Sequence, residues 1–199
     1  MTFIRFVNIK MLLFLTLISI ILFSCKSNKQ YSENMKLELK RMYREDQNAQ
    51  NFDLEKLSLK KYTDSMNIEF DKICKKNIIV VKKYYKDYGF PGIKENGKET
   101  ALNFWLIVQH ADNDVEFQKK ILISMKKLFK SNNVNKRNYA FLFDRIKKNE
   151  QKPQLYGTQM IWDSNGIHTP YNLESPKEVN KRRLEMDLGT IEEYLKEFN

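Results

Sequence analysis

The sequence predicts a mainly α fold: a single-domain orthogonal helical bundle with one small β-hairpin near residues 157–170. Three observations predict it. Apolar residues recur at helical spacing along most of the chain beyond residue 30. Only six Gly and four Pro occur in 199 residues, too few for a many-turned β architecture. The apolar fraction of 42% and the charged fraction of 30% suit one folded domain with its own core, in a chain too short for two ordinary ones.

The first segment is read as a leader rather than as part of the fold. Arg5 and Lys10 precede an apolar run over 11–23, interrupted only by Thr16 and Ser19. That run is shorter than the roughly 20 residues a spanning helix needs. "LFSC" then closes at Cys25, a small residue directly before cysteine, which resembles the lipobox of bacterial lipoproteins; Phe23 departs from the smaller residue usual there. The resemblance implies a signal peptide over 1–24, a lipid on Cys25 as membrane anchor, and a polar tether over 25–33 ahead of the domain at 34–199. Lys26 is not the aspartate that favours inner-membrane retention, so the expected address is the outer membrane, facing the periplasm or displayed at the surface. Acyl chains anchor because each buried CH₂ contributes about 0.8 kcal/mol.

From 31 to about 48, Met35, Leu39 and Met42 mark a helix that Ser32 can cap. The stretch "NAQNFDLEKLSLKKY" is a turn or short helix. A second helix is expected from about 63, through Met66, Phe70, Ile73 and Cys74, with a possible break near Asn77 and a stop at Gly89 in "YGFPGI". "IKENGKET" reads as a loop. Residues 100–110, "TALNFWLIVQH", are apolar nearly all round, as in a central buried helix. Asp112 or Asn113 can cap the next helix, about 114–130, and Asn113 with Glu116 resembles a capping box. "YAFLFDRIKKN" follows as another apolar helix. Ser164-Asn165-Gly166 is hairpin-turn chemistry between strands expected at 157–162 and 167–170. Ser175-Pro176 starts a helix carrying Arg182 and Arg183, Gly189 ends it, and "TIEEYLKEF" makes a closing helix.

Removing residues 1–24 takes two basic residues and no acid, so the net charge of +10 falls to +8. The lysines come as pairs scattered among acids, which reads as solvated helix faces and not as a nucleic-acid surface. With Cys25 lipidated, Cys74 is alone, so no intramolecular disulfide forms; its apolar neighbours make it a buried, inert thiol. Only His110 and His168 are available as imidazole ligands, so no metal site is expected, and no cofactor fingerprint is present.

Two apolar helices end in polar groups: Gln109, His110 and Asp112 on one, Asp144 and Arg145 on the other. Unpartnered buried polar groups cost about 1–3 kcal/mol each, so the two ends should lie near one another. Gln118 can join them, and "PQLYGTQ" adds Gln154, Tyr156, Thr158 and Gln159. Taken together and in order, "YGFPG", "WLIVQHADNDVEFQ", "AFLFDRI", "KPQLYGTQ" and "VNKRRLEMDL" resemble a family of uncharacterised bacterial proteins, a domain of unknown function, over about 35–197. The resemblance marks Asp46, Gln47, Gln109, His110, Asp112, Gln118, Asp144, Arg145, Gln154, Tyr156, Gly157, Thr158, Gln159, Arg182 and Arg183; Phe90 stands where the family often has Trp. It implies no activity.

Three readings compete. In the enzymatic one, His110 is a general base or acid, Asp144 or Asp112 orients it, and Arg145 or Arg183 stabilises an anion, as in a hydrolase or transferase. In the binding one, Gln109, Asp112, Gln118, Gln154, Tyr156, Thr158, Gln159 and Arg183 line a pocket for a small polar or anionic ligand. In the structural one, Asp144 and Arg145 pair with Arg182 or Asp46, Gln109 satisfies backbone at the turn, and His110 is a satisfied core histidine.

Overall fold

The computed structural model describes residues 30–51, 53–56, 59–162 and 166–198. The expected leader, Cys25 and most of the expected tether lie outside them, as do Ser164 and Asn165 of the expected turn.

The described residues hold eight α-helices, four 3₁₀ turns and one two-stranded hairpin, so the mainly α expectation holds. Helix α1, Glu33–Ala49, starts where Ser32 Oγ accepts from Met35 N at 3.3 Å. Its stripe of Met35, Leu39 and Met42 is buried, and Asp46 continues that stripe at the next position. Helix α2, Lys60–Tyr88, follows a 3₁₀ turn at Leu54–Lys56. It starts earlier than expected and runs unbroken through Asn77, whose side chain is buried against the bundle, because tertiary packing overrides a weak propensity signal. Contacts of Glu38 with Tyr84 and of Glu45 with Lys76 run in opposite sequence order, so α1 and α2 lie antiparallel.

Part of the loop expected at "IKENGKET" is helical: α3 spans Ile93–Asn96, and Gly97 then opens α4, Lys98–Gln109. Tyr31 ties this end together, donating from N to Asn96 Oδ1 at 2.7 Å and from its hydroxyl to Gly89 O at 2.8 Å. Helix α4 touches α1, α2 and α3 as well as the two helices that follow, which explains its apolar circumference. Those are α5, Val115–Lys127, and α6, Lys136–Asn149. Asp114, not Asp112 or Asn113, caps α5, accepting from Phe117 N at 3.1 Å, because residues 112–114 first make a 3₁₀ turn. The core of Leu39, Met42, Phe104, Ile107, Ile121 and Leu142 lies between these five long elements.

Strands β1, Met160–Trp162, and β2, His168–Pro170, pair antiparallel with Ile161 opposite Thr169. β1 is shorter than expected because the backbone of 155–158 is engaged elsewhere, as described below. Ser175 supplies no cap; Pro176–Glu178 is a 3₁₀ turn leading into α7, Val179–Glu185. The closing helix α8, Ile191–Leu195, has a capping box in which Thr190 Oγ1 accepts from Glu193 N and the Glu193 carboxylate accepts from Thr190 N. Ala140, Tyr156 and Leu188 form a second, smaller core that fastens the C-terminal segment to α6.

Candidate functional site

The polar residues singled out by the sequence fall into two structures. The first lies at the end of the bundle where α1 and α4 both finish. His110 is the C-cap of α4, its N–H donating to Leu106 O at 3.1 Å. Its Nδ1 faces the carboxylate of Asp46, 2.8 Å from Oδ1 and 2.9 Å from Oδ2. Facing a carboxylate, which only accepts, Nδ1 is placed to donate, and a neutral ring so oriented has its lone pair on Nε2. Asp46 is 2% exposed and is itself held: Gln47 Nε2 donates to its Oδ2 at 3.0 Å and Gln50 Nε2 at 2.9 Å. Phe70 of α2 meets the imidazole edge-to-face with centroids 5.5 Å apart. The His110 side chain keeps 15% of its surface exposed. Gln50, the C-cap of α1, lies one turn beyond Asp46, so both stand on the side of α1 that meets α4.

His110 is thus oriented by Asp46, not by Asp144 or Asp112 as the sequence reading expected. The reason is topological: the last turn of α4 is packed against the last turn of α1, while Asp144 is committed on α6. Cys74, one helical turn from Phe70, lies in the electrostatic reach of this corner. Burial pushes its thiol up to about 12, with the charges of Asp46, Asp112 and Asp71 adding to the effect and Arg145 opposing it. The free, buried Cys74 is therefore a neutral thiol at ordinary pH, as its apolar sequence setting indicated.

The second structure is built around Asp144, which has no exposed surface. Its carboxylate accepts from Leu155 N at 2.9 Å, from Tyr156 N at 3.2 Å, and from both Thr158 N and Thr158 Oγ1 at 3.0 Å. Burial pushes this carboxyl above the ordinary range, against the pull of those hydrogen bonds. Gly157, at φ +65°, turns the loop so that N–H groups on either side aim at one carboxylate; a Cβ there would also stand 2.9 Å from Ile191 Cδ1. The carbonyls of the same loop face two arginines. Arg182 Nε donates to Leu155 O at 2.7 Å, and Arg183 Nη1 donates to Tyr156 O at 2.7 Å. Arg183 is 2% exposed, donates also to Gly189 O at 2.6 Å, and lies 5.0 Å from the Tyr194 ring centroid. Gln154, fully buried, exchanges two bonds with the Gln159 backbone at 2.8 and 3.0 Å. Tyr156 packs its ring on Phe143, and burial pushes its phenol up to about 12.

A chain of polar contacts runs from Asp112, near His110, to the second structure. Asp112, two residues beyond His110, takes a bidentate pair from Arg145 at 2.9 and 2.7 Å. Arg145 continues to Gln159 Oε1 at 3.2 Å, and Gln159 Nε2 donates to Thr158 Oγ1 at 3.2 Å, beside Asp144. Gln109 bridges α4 to α6 by donating to Phe141 O at 3.3 Å. Gln118 donates to Val108 O at 3.1 Å and Gln109 O at 3.4 Å, satisfying carbonyls at the end of α4. The expected convergence is therefore partial: Asp112, Asp144, Arg145, Tyr156, Thr158 and Gln159 share one network, while His110 turns away to α1.

The sequence marks Asp46 through the family resemblance and as a candidate partner of Asp144 and Arg145, not of His110, and it does not single out Gln50 or Phe70 for this corner; Arg145 pairs with Asp112 instead. A signal for Asp46 was present: the stripe 35, 39, 42 leads to 46, and a carboxylate at a core position needs a buried partner. Two cavities, of about 340 and 300 Å³, lie at the opposite end of α4 and include none of these residues. Among the described residues no group of three His, Cys, Asp or Glu is placed to hold a metal ion, and no helix is long and apolar enough to cross a membrane.

The fold and its two polar structures define a mainly α domain with a stapled C-terminal loop and a His–Asp corner. The chain belongs to a family of unknown function, DUF6624, whose profile matches residues 34–199. Neither a curated protein nor a solved structure matches it.

Proposed function

We propose that the corner between α1 and α4 is an acid–base site for a small polar substrate, with His110 as the proton-transfer group and Asp46 as its positioning partner. The observation that carries the reading is the Asp46–His110 pair at 2.8 Å, its carboxylate fixed by two amides. Holding the proton on Nδ1 leaves the Nε2 lone pair to take a proton from a hydroxyl or a water. The imidazolium so formed would sit against the Asp46 carboxylate, and return of the proton to a leaving group completes a hydrolysis or transfer. Asp112 and Arg145 neutralise each other beside the corner, and Asn113 donates to Asp71 Oδ1 at 2.8 Å, giving it a polar rim.

The chain carrying this site is proposed to be an envelope lipoprotein, anchored by a lipid on Cys25 and facing the periplasm. The basic leader, the short apolar run and Ser24 before Cys25 support that address. Labelled fatty acid should enter the wild-type chain and not Cys25→Ser, which should leave the membrane fraction; equal labelling would refute the anchor.

A thermal-shift screen of polar metabolites and glycans on the full-length chain tests the site. A ligand that stabilises wild type should be turned over by it and only bound by His110→Gln. Binding that persists without turnover in wild type would make the corner a binding site alone, and stabilisation by no ligand would leave His110 a structural residue.

A further inference from the structure

The end of α4 remote from His110 holds a different kind of surface. At 1.5 Å per residue the two ends of α4 are about 18 Å apart. Here a cavity of about 340 Å³ opens between the first turn of α4 and the first turn of α6. Its floor is apolar: Phe90, Ala101, Leu102, Met125 and Val134. Its rim is cationic, with Lys98, Lys136 and Arg137 against one acid, Asp187. Lys136 Nζ is 3.9 Å from Asp187 Oδ1, a loose pair. Among the described residues the side chains of Lys98 and Arg137 form neither an ion pair nor a hydrogen bond, though the charge of Arg137 is felt at Arg183 and Tyr194.

The placement of these cations has a local cost. The first turn of a helix favours acids, because the exposed N–H groups give it a partial positive charge. Helix α6 has no acid in its first turn and has Lys136 and Arg137 there instead. Helix α4 begins at Gly97 with no side-chain cap and with Lys98 as its first residue. Asp187 offsets Lys136 only loosely, and Glu99, the acid in the first turn of α4, is paired with Lys40, so a surplus of cations stands over an apolar floor; a ligand with an anionic head and an apolar tail would match both parts.

We propose that this cavity binds a small amphipathic anion, a phosphate or carboxylate head on a short apolar chain. The head lies between Lys98 and Arg137 and the chain covers Leu102 and Val134. The site is independent of the His110 corner.

The test is a calorimetric titration of the full-length chain, held in neutral phosphatidylcholine nanodiscs, with hexyl phosphate. Saturable one-to-one binding is expected, with hydrogen exchange slowed in the first turns of α4 and α6. Arg137→Gln, at an exposed position, should melt like wild type and bind about tenfold more weakly, the scale of one charge-assisted hydrogen bond. Leu102→Trp, which fills the cavity from its apolar side, should weaken binding as well. Inorganic phosphate and hexylammonium should each bind far more weakly than hexyl phosphate. Equal binding of either, full affinity in Arg137→Gln, or no binding of hexyl phosphate would overturn the proposal. Nanodiscs carrying phosphatidylglycerol separate the sources: protection of the same turns before hexyl phosphate is added identifies a membrane lipid as the anion, and protection only after addition identifies a free one.

Discussion

Two aspartates of this protein are almost equally buried and do opposite things. Asp144 is surrounded by donors that belong to the backbone and to Thr158, so every lone pair serves the path of the 155–158 loop. Asp46 is surrounded by side chains, two amides and an imidazole, and the imidazole keeps part of its surface exposed. A carboxylate that organises backbone is a staple. A carboxylate that organises a titratable side chain fixes where a proton sits. Burial alone does not separate the two; the identity of the donors does.

That contrast makes a ranked set of predictions. Asp144→Ala should be the most damaging change, leaving several buried N–H groups unpartnered at about 1–3 kcal/mol each, for a total of about 4 kcal/mol and a melting temperature lower by roughly 10 °C. A loss below about 1 kcal/mol in denaturant unfolding would show that the loop does not depend on its staple. Arg183→Met removes the cation from the other face of the same loop and should cost about 2–3 kcal/mol, since the Tyr156 and Gly189 carbonyls lose their donor.

The corner should respond more weakly in stability. His110→Gln keeps a donor beside Asp46 and should cost about 1 kcal/mol, with its larger effect on turnover. A double-mutant cycle with Asp46→Asn should give a coupling of about 1–2 kcal/mol; additive effects would mean that the two side chains act separately. Arg145→Ala breaks a pair whose side chains are 26% and 40% exposed, and unfolding should shift by no more than about 1 kcal/mol. The smallest effect expected at neutral pH is chemical. With its thiol pushed up to about 12, Cys74 should alkylate slowly, and the rate should rise about tenfold per unit through pH 7–10 without levelling. Levelling near pH 8.5, followed by peptide mass mapping, would mean an exposed thiol.

The difference between the two aspartates also marks what the sequence carried. Periodicity gave the long helices, and the all-round apolar face of residues 100–110 located the central one. It could not see that Asn77 would be carried inside a continuous helix, because that depends on what α1 and α4 place against it. The dense run "PQLYGTQ" after "FDR" announced a polar structure, and one exists around Asp144. Which of those residues face backbone and which face solvent was invisible, since it follows from the turn at Gly157. Asp46 was legible in principle as a charge in an apolar stripe, but its partner lies 64 residues away and only the packing of two helix ends brings it to His110.

The most direct test of the account is the protonation pattern of the His110 ring, read from long-range proton–nitrogen correlation spectra of the full-length chain labelled at histidine, with His168→Gln used for assignment. Neutral His110 should carry its proton on Nδ1 in the wild-type protein and move it to Nε2 in Asp46→Asn, whose amide can donate to Nδ1. A wild-type imidazole protonated on Nε2, or a ring indifferent to Asp46→Asn, would contradict the claim that Asp46 sets the proton of an acid–base site.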